Sequence, residues 1–281
     1  MRYAAVGAFD GMHLGHMRVI HEAGEDPGMV FFEPAPRQVT GRGVWRGRLT
    51  TAGERYEMLR CNGISSIITL PFDAATQGMP HGEFPGILAE IGPFDGFVVG
   101  YDFRYGHRAL GTTETLKEGL GHLGLGLRVV EPFTVGSIPV KSGRIRELLE
   151  QGDLRGSSEL LGRLYGATGV VSRGRGLGRK LGFPTLNLRV PGSKLLPPAG
   201  SYAVFADMGS GPLGAVAFVV PEKHLVEVHV PGFSGDMYGT AAKVEFVSFL
   251  RKPTSFGTAE ELAKQIKNDM EISMEVLKEW H

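Results

Sequence analysis

The sequence predicts two architectures in series: a parallel, doubly covered α/β sheet, then a small antiparallel barrel or sandwich followed by a C-terminal helix. Three observations carry this. Up to about residue 150 short apolar runs alternate with helix-period segments of about ten residues, the pattern of parallel strands joined by crossover helices. A polar stretch containing Gly and Ser follows at 152–169. Beyond it the apolar runs at 202–207, 214–220, 225–230 and 243–250 are separated by Gly, Pro and Asp turns too short for parallel crossovers. A domain boundary is therefore expected near 155–160, dividing the chain into 1–156 and 157–281.

Composition sets outer bounds. Of 281 residues 42% are hydrophobic, enough for one large core or two medium ones. Thirty basic residues balance thirty acidic ones, so no global field attracts nucleic acid or an anionic membrane, and any anion binding must be local. The single cysteine, Cys61, excludes an internal disulfide framework and fits a reducing compartment; a buried or half-buried packing role is expected for it. The N-terminal stretch has no apolar segment of signal-peptide length, and no run approaches the length that spans a bilayer. A cytoplasmic protein is the expectation. Glycine is frequent (42 residues) but has no fixed period, which indicates many tight turns rather than a repeat.

In chain order, an apolar run at 3–6 leads into Gly7-Ala-Phe-Asp-Gly-Met-His-Leu-Gly-His16 and a helix beginning near Gly15. A strand, a Gly-rich turn and a helix start make a phosphate site, because free N–H groups and the helix dipole point outward there. Gly7, Gly11 and Gly15 let a polyanion approach the main chain, with Phe9 and Asp10 between them. His13 and His16, one helical turn apart, can face the same phosphates as hydrogen-bond donors or as cations. Two surface histidines in an ordinary turn are the competing explanation. A strand at 29–32 is expected to end at Glu33-Pro34-Ala35-Pro36, where the prolines interrupt both helix and ladder. Thr51 and Glu54 have capping-box spacing before a helix. Strands at 66–70, 96–100 and 127–130 alternate with helices at 83–90 and 115–123. Parallel sheets bind ligands beyond the carboxyl ends of their strands, where the loops at 7–16, 33–37 and 100–106 gather. Ser142 fits an N-cap, and Arg144 and Arg146 in the first turn oppose the helix dipole unless they meet an anion; solvated surface charge explains them equally well.

Two features of the second half suggest chemistry. The run from Gly174 to Asn187 interleaves Gly174, Gly176 and Gly178 with basic residues including Arg179 and Lys180, so its main chain could wrap and neutralise a polyphosphate. The same composition suits a flexible RNA-contacting loop. Thr185 and Asn187, two apart in an extended segment, put two neutral oxygens on one side, suited to Mg2+. In Leu225-Val-Glu-Val-His-Val230 the valines share one face and Glu227 and His229 the other, where an ionisable pair could supply a general base. A solvated outer face is the alternative. At the C-terminus Thr258 and Glu261 form a capping box, and Leu262, Ile266, Met270, Ser273, Leu277 and Trp280 form a mainly apolar stripe expected to pack on the barrel.

Taken together, these stretches resemble the prokaryotic bifunctional riboflavin kinase/FAD synthetase family over nearly the whole chain. Residues 7–16 match its nucleotidyltransferase signature. Phe32-Glu-Pro-Ala-Pro-Arg37, Arg48-Leu-Thr-Thr51, Leu70-Pro-Phe-Asp73, Val99-Gly-Tyr-Asp-Phe-Arg-Tyr-Gly106 and Arg144-Ile-Arg-Glu-Leu-Leu149 follow in order. In the second half come Gly178-Arg-Lys-Leu-Gly-Phe-Pro-Thr-Leu-Asn187, Glu227-Val-His229, Phe233-Ser-Gly-Asp-Met-Tyr-Gly239 and residues 256–269. The resemblance implies a Rossmann-like nucleotidyltransferase domain and a six-stranded barrel. It implies two reactions: riboflavin and ATP give FMN in the second domain, and FMN with a second ATP gives FAD and pyrophosphate in the first. Carried over residue by residue, His13, His16, Ser142 and Arg144 would stabilise charge during adenylyl transfer, and Asp102 with Phe103 and Arg104 would line the flavin or nucleotide side. Thr185 and Asn187 would hold Mg2+, Glu227 would take the riboflavin hydroxyl proton, and residues 174–180 would cover the ATP phosphates. The chain departs from the family pattern at three places: alanine at 35 replaces the histidine of Pro-His-Pro, Lys141-Ser142-Gly143 lacks a second hydroxyl, and residues 216–225 are too short for the Asn-Ile-Gly…Pro-Thr-Phe segment expected before Glu227. The last departure leaves an alternative, an FMN adenylyltransferase whose second domain is a flavin-binding or scaffolding module. Small-molecule substrates are the expected partners, with neither nucleic acid nor membrane; oligomeric state is not legible.

Overall fold

The computed structural model describes residues 1–40, 46–174, 178, 182–233 and 235–280. The chain forms two compact units: Met1–Arg46 with Ala52–Ser142, and Gly47–Thr51 with Gly143–His281.

The first unit is built on strands β1 (Tyr3–Val6), β2 (Gly28–Glu33), β3 (Ser66–Pro71), β4 (Gly96–Gly100) and β5 (Gly126–Val130), between which lie helices α1 (Leu14–Glu22), α2 (Pro36–Val39), α3 (Ala52–Cys61), α4 (Ala74–Gly78), α5 (Phe84–Glu90) and α6 (Thr113–His122). Among the described residues the strands pair in parallel in the order β3-β2-β1-β4-β5. Alternation along each strand divides the core. Ala5, Met29, Phe31 and Val98 face one layer with Val19, Ile20 and Leu59 of α1 and α3; Ala4, Val6, Val30, Phe97 and Val99 face the other with Phe84, Leu88, Leu116 and Leu120 of α5 and α6. Both faces are covered, as the unbroken apolar runs require. The order reverses between β1 and β4, so the loops following those two strands flank the switch point.

Several local expectations change. Pro36 does not bar a helix but opens α2, where a first-turn proline loses no bond. Pro71 ends an edge strand, where its missing N–H is tolerated. Cys61 is exposed at the end of α3 rather than packed. A two-stranded hairpin, β6 (Thr134–Val135) and β7 (Ile138–Pro139), was not legible.

In the second unit, α7 (Ser142–Glu150; its first residue falls in the first unit) and α8 (Leu154–Leu161) precede β8 (Tyr165–Ser172), β9 (Leu186–Arg189), β10 (Gly200–Asp207), β11 (Pro212–Val220), β12 (Leu225–His229), β13 (Ala241–Arg251) and α9 (Ala259–Lys278). The stretch at 152–169 is therefore not a linker: Asp153 caps α8 by accepting the Gly156 N–H, and Leu154, Leu160 and Leu161 are buried. The strands close a barrel in the order β10-β11-β12-β9-β8-β13, antiparallel throughout. Tyr165, Tyr202, Val204, Val226, Val228 and Phe246 fill its interior. Burial holds the Tyr202 phenol well above its ordinary pKa, and the hydroxyl donates to the Pro198 carbonyl. The predicted capping box of Thr258 and Glu261 starts α9, which packs on the barrel through Leu277 and the buried Ser273, whose hydroxyl donates to Ala215 O at 2.8 Å. Trp280 leaves the stripe and is 49% exposed. Residues 47–51 join this unit as an added strand-like segment: Arg48 bridges Lys194, Lys194 Nζ donates to Leu49 O at 2.7 Å, and Arg146 Nε donates to Gly47 O at 3.0 Å.

Gly96 shows how tightly the sheet is packed. A Cβ there would meet Gly126 O and the Tyr3 ring, each at 2.5 Å, and a backbone oxygen in a ladder cannot retreat. Gly96→Ala should destabilise the first unit by about 1–3 kcal/mol in urea unfolding followed by circular dichroism. Gly86→Ala within α5, where an added Cβ meets nothing within 4 Å, should be stabilising by up to about 1 kcal/mol.

Candidate active sites

The loop after β1 is held in an uncommon conformation. Gly7 N–H continues the ladder to Val30 O at 3.1 Å, and the chain then passes through positive φ at Phe9 (47°), Gly11 (94°) and Met12 (42°). Phe9 and Met12 adopt this costly backbone because their side chains are anchored in the core beneath the sheet's end. α1 begins one residue before the expected start, with His13 as its N-cap: His13 Nδ1 accepts the His16 N–H at 3.2 Å. Accepting that N–H places the imidazole proton on Nε2. The His13 and His16 rings stack at 3.5 Å with 16° between planes, and Phe9 meets His16 edge-on at 5.3 Å. Gly7 and Gly15 are tight positions for a local reason as well. A Cβ on Gly7 would press on the Phe9 ring at 3.2 Å, and one on Gly15 on the His13 ring and Val140 O at 3.3 Å.

Ser142, the first residue of α7, donates its hydroxyl to Asp10 O at 2.8 Å, tying the helix start to the 7–16 loop across 132 residues of sequence. Arg144, two residues on, lies in the second unit, and its guanidinium pairs at the surface with Glu147 at 3.1 Å. Beyond β4, the Asp102 carboxylate faces Lys141 Nζ at 3.4 Å, and Lys141 lies over the Tyr101 ring. The hydrogen bond with Tyr101, and after it the Asp102 charge, raises the Lys141 pKa against the opposing effect of burial, so this cation persists above its usual range. Phe103 turns toward the core and stacks with Tyr105 at 5.9 Å, whereas Arg104 is exposed. The structure therefore brings together His13, His16, Asp10 and Ser142, and separately Asp102 with Lys141.

Arg55 is absent from the sequence expectations. On α3 its side chain is 1% exposed, and it donates from Nη1 to Ala8 O at 2.8 Å and from Nη2 to Glu33 at 2.7 Å, while its guanidinium stacks on Phe31 at 4.0 Å. It clamps the loop from below. In Gly-Glu-Arg-Tyr-Glu it reads as solvated charge, and only contacts across 47 residues reveal otherwise.

In the barrel, Glu227 on β12 pairs in register with Asn187 on β9. Directly opposed residues share a face with Cβ atoms about 5 Å apart, so carboxylate and carboxamide are neighbours on the outer wall, while Val226 and Val228 point inside. That wall is partly covered: Glu227 and Asn187 are half-buried, and His229 is buried beside Phe183, whose ring it meets edge-on at 5.5 Å, with its Nδ1 2.8 Å from Pro184 O. Thr185 immediately precedes β9. A Cβ on Gly174 would collide with the Asn187 carboxamide, and one on Gly178 with Phe183 O and, at 3.4 Å, Thr185 Oγ1. Main chain thus passes close to both neutral oxygens. Gly176, Arg179 and Lys180 lie outside the described residues. Among the described residues no three His, Cys, Asp or Glu side chains gather to hold a metal ion, and no helix is long and apolar enough to cross a membrane.

Residues 1–144 match the family model for FAD synthetase, and residues 161–277 that for riboflavin kinase. The bifunctional riboflavin kinase/FMN adenylyltransferase of Bacillus subtilis (strain 168) is 30% identical over 94% of this chain and 89% of its own length. The protein of that name from Escherichia coli (strain K12) is 28% identical over the same shares. A crystal structure titled macrolide-efflux protein from Streptococcus pneumoniae superposes with a TM-score of 0.83 at 24% identity, covering 97% of this chain and 93% of that one, a likeness of fold. With both halves matched and this identity sustained along nearly its whole length, the chain belongs to the bifunctional riboflavin kinase/FMN adenylyltransferase family.

Proposed function

We propose that the protein makes FAD in two steps, phosphorylating riboflavin with ATP in residues 157–281 and adenylylating the resulting FMN with a second ATP in residues 1–156. The observation that carries the first step is the half-buried outer wall of the barrel, where Glu227 stands in register with Asn187 and glycine main chain passes against Asn187 and Thr185. The Glu227 carboxylate accepts the riboflavin 5′-hydroxyl proton as its oxygen bonds to the γ-phosphorus and ADP leaves. Thr185 and Asn187 fit Mg2+, a hard cation that takes neutral oxygens and keeps several waters. Bound there, the ion would offset the phosphate charge facing the incoming oxygen. Residues 174–180 cover the ATP phosphates in this proposal. The match of residues 161–277 to riboflavin kinase favours this over a second half without kinase activity.

For the second step, an FMN phosphate oxygen bonds to the α-phosphorus of ATP and pyrophosphate departs, so no enzyme nucleophile is required. What the site must supply is donors for the shifting negative charge. We assign this to His13 through Nε2, to His16, and to N–H groups at the start of α1, with Gly7, Phe9, Asp10, Gly11 and Gly15 shaping the ATP loop. Ser142 ties that loop to α7, Arg144 serves as an ATP-side cation, and Asp102 with Phe103 and Arg104 lines the flavin or nucleotide side. A cytoplasmic location, where ATP is available, and small-molecule partners without nucleic acid or membrane belong to the same proposal.

Incubation with riboflavin, ATP and Mg2+ should yield FMN and then FAD on chromatography; absence of both products would reject the proposal. Glu227→Gln should cut FMN formation by a factor on the order of 100 or more while FAD formation from supplied FMN persists. His16→Ala should reduce FAD formation on the order of 100-fold with FMN formation intact, and a loss below about threefold would make the histidines incidental.

A further inference from the structure

We propose that His229 is a positioning residue of the kinase site, holding the Pro184 carbonyl through Nδ1–H and so fixing the Thr185 hydroxyl beside Asn187 and Glu227; this rests on the kinase activity proposed above. The ladder between β9 and β12 pairs Asn187 with Glu227 and Leu186 with Val228, and there it ends. One further step in the same register would set Thr185 opposite His229. The chain at 183–185 has left the strand, and Pro184 has no N–H to offer a ladder. The His229 side chain takes over at this point, with Nδ1 2.8 Å from Pro184 O, an ordinary N–H···O length. A carbonyl oxygen only accepts, so the proton lies on Nδ1. The imidazole is buried although Pro184 itself is exposed, and the Phe183 ring meets the imidazole edge-on. Phe183 is itself held, its N–H donating to Gly178 O at 2.8 Å. The segment carrying Thr185 is thus pinned one residue upstream by His229 and one residue downstream by the β9 ladder. With Nδ1 engaged and the ring packed against Phe183, His229 serves as a strut, and the base role stays with Glu227 as proposed above.

The test uses the full-length chain with His229→Leu, which removes the donor, and His229→Asn, whose carboxamide N–H reaches about where Nδ1–H lies. Outer-shell partners of metal ligands typically contribute on the order of 10- to 100-fold in metal affinity. His229→Leu should raise the Mg2+ concentration giving half-maximal FMN formation by about tenfold or more. It should weaken Mn2+ binding in the presence of ADP, followed by electron paramagnetic resonance, to a similar degree. His229→Asn should recover most of both, and FAD formation from supplied FMN should stay within about twofold of wild type in each variant. An unchanged metal dependence in His229→Leu overturns the assignment. Parallel loss of both activities also overturns it, in favour of a role in folding, as does an asparagine variant no better than leucine. If wild type forms no FMN at all, the kinase proposal itself fails, and the Mn2+ binding comparison separates that failure from this one.

Discussion

A guanidinium withdrawn from water needs polar partners, and those it finds are then fixed as firmly as it is. Arg55 imposes that constraint on the first unit. Its two terminal nitrogens reach the Ala8 carbonyl and the Glu33 carboxylate, joining the loop after β1 to the end of β2 from a helix that follows both in sequence. The loop above needs such a hold, because Phe9 and Met12 occupy left-handed conformations that a free chain would leave. Core burial of their side chains supplies one restraint, Arg55 a second, and the Ser142 hydroxyl on Asp10 O a third. With the backbone fixed at Ala8 and Asp10, the start of α1 is fixed too, and His13 caps it through Nδ1.

Both candidate sites keep main chain close to the side chains proposed to act there by excluding Cβ atoms, but they do so differently. Around α1 the tight contacts at Gly7 and Gly15 are with the site's own rings, Phe9 and His13, so the glycines allow aromatic packing within the loop. In the barrel, Gly174 and Gly178 approach the Asn187 carboxamide and the Thr185 hydroxyl. There the glycines bring backbone to polar groups, the arrangement a phosphate cover requires.

Much of this was legible in the sequence. Strand–helix alternation gave the parallel sheet because its strands are buried on both faces and read as unbroken apolar runs, and Val226, Val228 and Glu227 alternate as a barrel wall must. The misses have physical causes. α8 escaped notice because Gly156, Ser157 and Ser158 resemble a linker, although Ser157 is buried and bonds its own helix at Leu154 O. Arg55 went unremarked because a lone arginine declares its burial only through distant partners. The assignment of residues 47–51 to the barrel unit depends on Lys194 and Arg146, a long-range pairing that no local pattern encodes.

The shortness of the connection between β11 and β12 has a structural consequence of its own. Only the 3₁₀ turn Pro221–Lys223 and His224, in the left-handed region at φ 47°, separate the two strands. A hairpin this tight leaves little freedom in register, and a slip of one residue would exchange every inward and outward side chain. Val226 and Val228 would turn outward, and Glu227 would enter an apolar interior lined by Tyr202 and Phe246. The cost of burying that carboxylate and the geometry of the turn select the same register. That register places Glu227 against Asn187 on one side and Phe218 on the other. The reduced hairpin therefore keeps what the proposed chemistry asks of this strand, a carboxylate held on the half-buried outer wall beside a carboxamide.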